Sequence, residues 1–177
     1  ALLCESGLWT GLRGRPFSRV AAVDGTPKAI FVTAMDSTPL SPDPLTILRG
    51  RDDDIIAGLH AVSKLTDGKT YVCKAPGAAI PTGDAPVEVH EFSGQHPAGT
   101  VGVHIHTLCP VNRNRSVWHI GYQDLAAIGH LFNTGRLEVN RFVGIGGPQA
   151  RNGRIFKTRF GAEIEPLLEG ETHEGEN

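Results

Sequence analysis

The stretch Gly94–Phe132, GQHPAGTVGVHIHTLCPVNRNRSVWHIGYQDLAAIGHLF, holds His96, His104, His106, His119 and His130, five of the chain's eight histidines. Imidazoles at this density suggest a metal chelate or an acid–base centre. The pair His104-Ile105-His106 is the first test. Residues i and i+2 share one face of a strand, where two imidazoles could hold one metal, but on a helix they diverge by about 200° and could not. The preceding Pro97-Ala98-Gly99 favours a helix over Pro97–Thr107 that opens with proline. No Asp or Glu follows at the spacing of a hydrolase motif, so the pair reads as structural or interfacial.

His119 follows Trp118 near the C-terminal end of an expected strand, just before a helix N-terminus. Open α/β sheets place ligands there. A satisfied core histidine holding the loop fits the same position and is the preferred reading. Asp24, Asp36 and Asp124 could orient a histidine, but Ser6, Ser18, Ser93 and Ser116 all lack the G-x-S-x-G elbow of a nucleophilic serine.

Two glycine-rich stretches could cradle a phosphate, which needs free backbone N–H groups and a helix dipole aimed at them. In Gly144-Ile145-Gly146-Gly147-Pro148 the proline removes a donor and no helix follows; in Gly7–Phe17 (GLWTGLRGRPF) Gly7, Gly11 and Gly14 do not match G-x-G-x-x-G. By spacing alone, neither is a nucleotide site.

Around these residues the chain is an ordinary globular sequence of 177 residues, 40% hydrophobic and 20% charged, with 22 Gly and 12 Pro that call for short elements and tight connections. The net charge of −2 conceals six Glu in the last fifteen residues, leaving the rest mildly and diffusely basic, too weak a signal for nucleic acid. Cys4, Cys73 and Cys109 form no CxxC pattern and fit free thiols in a reducing cytoplasm. No apolar run approaches the roughly 20 residues of a membrane span. The start ALLCESGLW has no basic n-region and no initiator Met, and the chain reads as a piece of something longer.

The elements that must position the histidines follow from periodicity. Lys28–Met35, Thr70–Lys74, Val87–Phe92 and Ser116–Ile120 read as strands. Asp52–Leu65 reads as a helix with three carboxylates in its first turn and an inner stripe of Ile55, Leu59 and Val62. Gln123–Thr134 reads as a second, with Leu125, Ile128, Gly129 and Phe132 on its inner face and Gly135 as its stop. Glu138–Ile145 and Arg154–Arg159 read as a final strand pair. Alternation of this kind predicts an α/β fold with a largely parallel, Rossmann-like mixed sheet, in which two strands pair with no helix between them.

The wording of the chain carries more than its spacing. HPAGTVGVHIH, VWHIGYQDLAAIGHLFNTG, WTGLRGRPFSRV, DGTPKAIFVTAMDSTPL, LTDGKTYVCK and GGPQARNGRIFKTRFGA resemble, in order and across essentially the whole chain, the A-subunit family of the bacterial sodium-translocating NADH:quinone reductase. The resemblance implies an internal fragment with a Rossmann-like domain over residues 1–159, related to the flavin-binding subunit of complex I and the C subunit of the Rnf complex. It also implies the start of a β-grasp, soluble ligand-binding module over residues 160–177. Those relatives hold FMN and NADH with a GLGGAGFP loop; at the matching Gly7–Phe17, bulky Trp9, Thr10 and Leu12 stand where they need small residues, and no cluster-ligating cysteine pattern is present.

The resemblance further implies a cofactor-free, peripheral docking subunit on the cytoplasmic face of the bacterial inner membrane, bound chiefly to the membrane-embedded B subunit. FAD, FMN, riboflavin and iron are implied on other subunits, with NADH and ubiquinone as substrates and sodium as the exported ion. No catalytic residue is carried over. His104, His106, His119 and Tyr122 are the candidates for lining a quinone site. The alternatives are a retained FMN- or NADH-binding oxidoreductase module and a histidine-based metal hydrolase.

Overall fold

The computed structural model describes residues 1–173; the last four residues of the acidic tail, and of the expected β-grasp start, lie outside them. Among the described residues the chain forms a short helix α1 (Leu2–Glu5), a 3-10 turn (Leu8–Gly11), β1 (Arg13–Arg15), β2 (Arg19–Val20), β3 (Ala29–Ala34), α2 (Pro44–Leu48), α3 (Asp52–Ser63), β4 (Lys69–Lys74) and β5 (Val87–Glu91). Next come α4 (Val101–Leu108), β6 (Val117–Gly121), α5 (Tyr122–Thr134), β7 (Asn140–Ile145), β8 (Arg154–Arg159) and α6 (Glu165–Leu168).

The fold is α/β, as its alternating pattern requires. Six strands make one sheet in the order β2-β1-β6-β3-β4-β5, in which β6, β3, β4 and β5 are parallel and the β1–β2 hairpin adds an antiparallel edge beside β6. β4 and β5 are parallel neighbours joined by the irregular Gly/Pro-rich segment 75–86, the expected pairing without a helix. The pair β7–β8 is antiparallel and forms a separate two-stranded sheet.

β3 reads AIFVTA because both of its faces are covered, as parallel strands between helical layers demand. Ile30, Val32, Val72, Trp118 and Ile120 point to the layer of α3 and α5, while Phe31, Tyr71, Cys73 and Val117 pack with Ile105 of α4 on the other face. Burial pushes the Cys73 thiol up to about 12, whereas Cys4 is exposed.

α3 and α5 meet with almost no side chain between them. A Cβ on Gly129 would overlap the Asp54 carbonyl oxygen, and one on Gly58 would overlap that of Leu125. Packed beside α3 on the sheet, α5 buries Leu125, Ile128 and Leu131 and leaves Phe132, expected on the inner face, 51% exposed. Gly135 ends the helix in the left-handed region at φ +70°. α4 starts at Val101, not at Pro97, because Ser37 Oγ accepts from Gly99 N–H (2.8 Å) and Thr100 is extended as the N-cap. The β1–β2 hairpin, α1, α2 and α6 have no periodic signature; α2 is set by Asp43, whose side chain caps Leu45 N–H at 2.9 Å, with Pro44 at the first position.

Gly129→Ala is expected to cost about 3 kcal/mol, because the helices must separate to admit a methyl group. Gly135→Ala, with open space around it, should cost only about 1 kcal/mol for its backbone conformation. Urea midpoints followed by tryptophan fluorescence check the order; equal losses would overturn the close-packing account.

Candidate functional site

Chain order places β4 and β5 on one side of β3 and returns across the sheet to set β6 on its other side. The β3/β6 pair is therefore the point where strand order reverses, and ligands of open α/β sheets bind beyond the carboxyl ends of strands at such a point. A cleft of about 340 Å³ lies there, lined by Thr33 of β3, His119 and Gly121 of β6, Arg13 of β1, Asp124 of α5, Thr10 and Gly11 of the 3-10 turn, Arg141 of β7 and Phe160 just past β8. A second lobe of about 240 Å³ shares Thr10, Gly11, Asp124, Arg141 and Phe160 and extends to Gly7 and Val139.

The β7–β8 wall is held by the first turn of α5. Gln123 offers both ends of its amide to one residue of β7: its Oε1 accepts from Phe142 N–H (3.0 Å) and its Nε2 donates to Phe142 C=O (3.1 Å). The next residue, Asp124, is ion-paired with Arg141, whose guanidinium lies 5.0 Å from the Phe160 ring centroid. The Asp124 carboxylate fills the space against the loop, since a Cβ on Gly11 would stand 3.0 Å from its Cβ and Cγ.

On the opposite wall His119 Nε2 shares a hydrogen bond with Ser18 Oγ (3.3 Å). Burial, and then the Arg15 and Arg13 charges, hold its imidazole down to about 4, so it is neutral at pH 7. The Thr33 hydroxyl is buried without a hydrogen-bond partner among the described residues. The cleft thus offers a neutral imidazole, two hydroxyls, an aromatic ring, the Asp124–Arg141 pair and a second arginine, Arg13, a set able to hydrogen-bond a small polar group.

The structure separates the four sequence candidates. His119 lines the cleft. Tyr122 opens α5 and packs on the main core; burial and the Asp36 charge push its phenol up. His104 is fully buried, its Nε2 3.0 Å from Ala98 C=O and its ring 4.3 Å from Phe92; burial holds its pKa down. His106 lies exposed in the last turn of α4, so the helix turns the two imidazoles apart. Among the described residues no group of three or more His, Cys, Asp or Glu is placed to hold a metal.

Two bulky residues of the Gly7–Phe17 loop pack inward. Trp9 stacks edge-on against Trp118 (5.6 Å) and donates to Ala21 C=O (2.7 Å), while Leu12 is fully buried. Sequence reasoning misses Thr33, Arg141 and Phe160 as cleft residues and Gln123 as the tie that holds β7. The available signal is the strand-to-helix junction VWHIGYQD, which places His119 but does not show which distant residues face it.

The family model for the NqrA second alpha/beta domain matches residues 1–137. The chain is 54% identical over 173 residues to the A subunit of the Na(+)-translocating NADH-quinone reductase of Shewanella amazonensis, covering 98% of this chain and 38% of that one. It is 48% identical over 176 residues to the corresponding protein of Neisseria meningitidis serogroup C, covering 99% and 39%. The chain therefore spans under two fifths of the length of these curated relatives.

Two outcomes test the geometry. Gln123→Ala removes both hydrogen bonds to Phe142 and is expected to weaken hairpin docking by about 1–3 kcal/mol, read as faster amide exchange across β7 with β3 unchanged. With its folded pKa about 4, against 6.5 unfolded, His119 takes up a proton more readily in the unfolded chain. Its contribution, at most about 3 kcal/mol, is present above pH 6.5 and lost as pH falls to about 4. An NMR titration showing this imidazole protonated at pH 6 would refute the assignment.

Proposed function

Because this chain belongs to the NqrA family, matched through its second α/β domain, we propose that it is the Rossmann-like docking body of the A subunit in a respiratory sodium-translocating NADH:quinone reductase. It binds no flavin or nicotinamide of its own, sits against the membrane-embedded B subunit on the cytoplasmic face of the inner membrane, and lends the His119 cleft to a quinone site. Residues 160–177 lead into a β-grasp module. In this reading the complex couples NADH oxidation and ubiquinone reduction to sodium export, with its flavins and iron on other subunits. No helix among the described residues is long and apolar enough to cross a membrane, which suits a peripheral placement.

One observation carries the reading. At the switch point, where a helix N-terminus and a glycine loop would face a cofactor phosphate, the chain's own Asp124 carboxylate packs against Gly11 and pairs with Arg141. The place of a ligand anion is taken by an internal one. A quinone carbonyl needs only a hydrogen bond, which the neutral His119 and the unpartnered Thr33 hydroxyl can supply. Arg13, which lines the cleft without an ion-pair partner among the described residues, is what favours the second reading, an FMN- or NADH-binding oxidoreductase module.

Photolabelling of the intact complex with a photoreactive quinone analogue is expected to mark peptides of NqrA that border the cleft. Labelling confined to other subunits would remove the quinone role. Titration of full-length NqrA with FMN and NADH separates the two readings: no saturable uptake is expected, and saturation at micromolar concentration would establish the nucleotide-binding alternative.

A further inference from the structure

The β1–β2 hairpin presents the most exposed large apolar side chain of the described residues, Phe17, 79% accessible at the turn. Val20 and Val23 follow it at 44% and 66%. The same hairpin carries Arg13, Arg15 and Arg19, and no carboxylate lies between Glu5 and Asp24. None of the three arginines is ion-paired among the described residues. At the other edge of the sheet the charges are matched within the chain, Glu88 by Lys69 (2.8 Å) and Glu91 by Lys74 (2.6 Å).

The tip is held in place. Ser18 adopts a left-handed conformation (φ +54°) that a non-glycine residue keeps only when its surroundings impose it, and its hydroxyl is bonded to His119. The Arg19 guanidinium lies 5.9 Å from the Phe17 ring centroid, so aromatic and cation are displayed together. β2 has only two residues, too few to template an added strand, and the surface is a projecting tip and not a groove. An aromatic flanked by arginines is the composition of a protein interface anchor, with the cations left to find carboxylates on the other side.

We propose that this hairpin plugs into another subunit of the complex, Phe17 entering an apolar socket whose rim carries carboxylates for Arg13 and Arg19. Val20 is the cross-strand partner of Arg13, and Arg13 lines the His119 cleft. The neighbour seated on the hairpin therefore also covers one side of the cleft mouth. The inference rests on the reading of this chain as a docked subunit and names the surface that docks.

The test uses the assembled complex, purified through a tag on a different subunit, with a photo-crosslinking phenylalanine analogue placed at position 17 or, as a control on the opposite sheet edge, at position 89. Position 17 is expected to crosslink to a neighbouring subunit, whereas position 89 is not. Phe17→Ala is expected to lower retention of NqrA on the complex about tenfold or more, with its melting temperature in isolation unchanged, and Arg19→Glu is expected to lower it further at low salt. Crosslinking at 17 only to lipid or to the rest of NqrA itself, or none while NqrA stays bound and Phe17→Ala has no effect, overturns the hairpin assignment and leaves the docking reading intact. Loss of wild-type NqrA from the complex under the same conditions overturns the docking reading itself.

Discussion

The approach of α5 to α3 at Gly129 and Asp54 is the constraint on which the rest of the molecule depends. The backbone contact leaves the Asp54 carboxylate at the helix junction, where Arg51 (3.2 Å), His130 (3.3 Å) and Asn133 (3.1 Å) all converge on it. Arg51 also donates to Ala126 C=O (3.2 Å) and lies 3.7 Å from Glu138, the residue that leads into β7. Burial alone would raise the Glu138 carboxyl, but hydrogen bonds from Asn140 and the Arg51 charge bring it below its ordinary value. Small residues at one crossing thus fix the axis of α5, and that axis fixes where its first turn meets the sheet.

That first turn decides the electrostatics of the cleft. Two unit charges about 4 Å apart interact by about 4 kcal/mol at an effective dielectric of 20. An incoming anion at the α5 N-terminus would be repelled by Asp124 about as strongly as Arg141 attracts it, and the helix dipole adds only about 0.3–1 kcal/mol. A neutral ligand meets none of this repulsion. The ion pair therefore cancels the pull of the α5 N-terminus on an anion, joining two separate parts of the chain, and leaves Arg13 as the uncompensated cation of the cleft among the described residues.

The parts legible in the sequence are those governed by local pattern. The β-branched run of β3, the acidic first turn of α3 and the glycine stop of α5 each announce themselves within a few residues. β1 and β2 do not, because RGR and RV are too short to show alternation and exist only through pairing with β6. Phe132 escapes its expected place for a related reason: helical period locates a stripe but cannot reveal that a glycine contact rotates the helix toward its neighbour. At the site, His119 is readable as the end of a strand. Thr33, Arg141 and Phe160 are not, since only the fold brings sequence separations of this size together.

The histidine cluster resolves into different duties once the elements are in place. His104 stacks in the α4 core, His106 faces outward, and His130 binds the Asp54 hub. His119 alone reaches the cleft, and it does so as a tie, holding Ser18 and with it the β1–β2 hairpin. Five residues further on, Asp124 holds Arg141 and the β7–β8 pair. A single six-residue junction, 119–124, therefore anchors both walls, one through an imidazole and the other through an amide and a carboxylate. Because these residues end a central strand and begin the helix locked by Gly129, the two walls cannot move independently of the core: the width of the cleft is a property of the α3–α5 crossing.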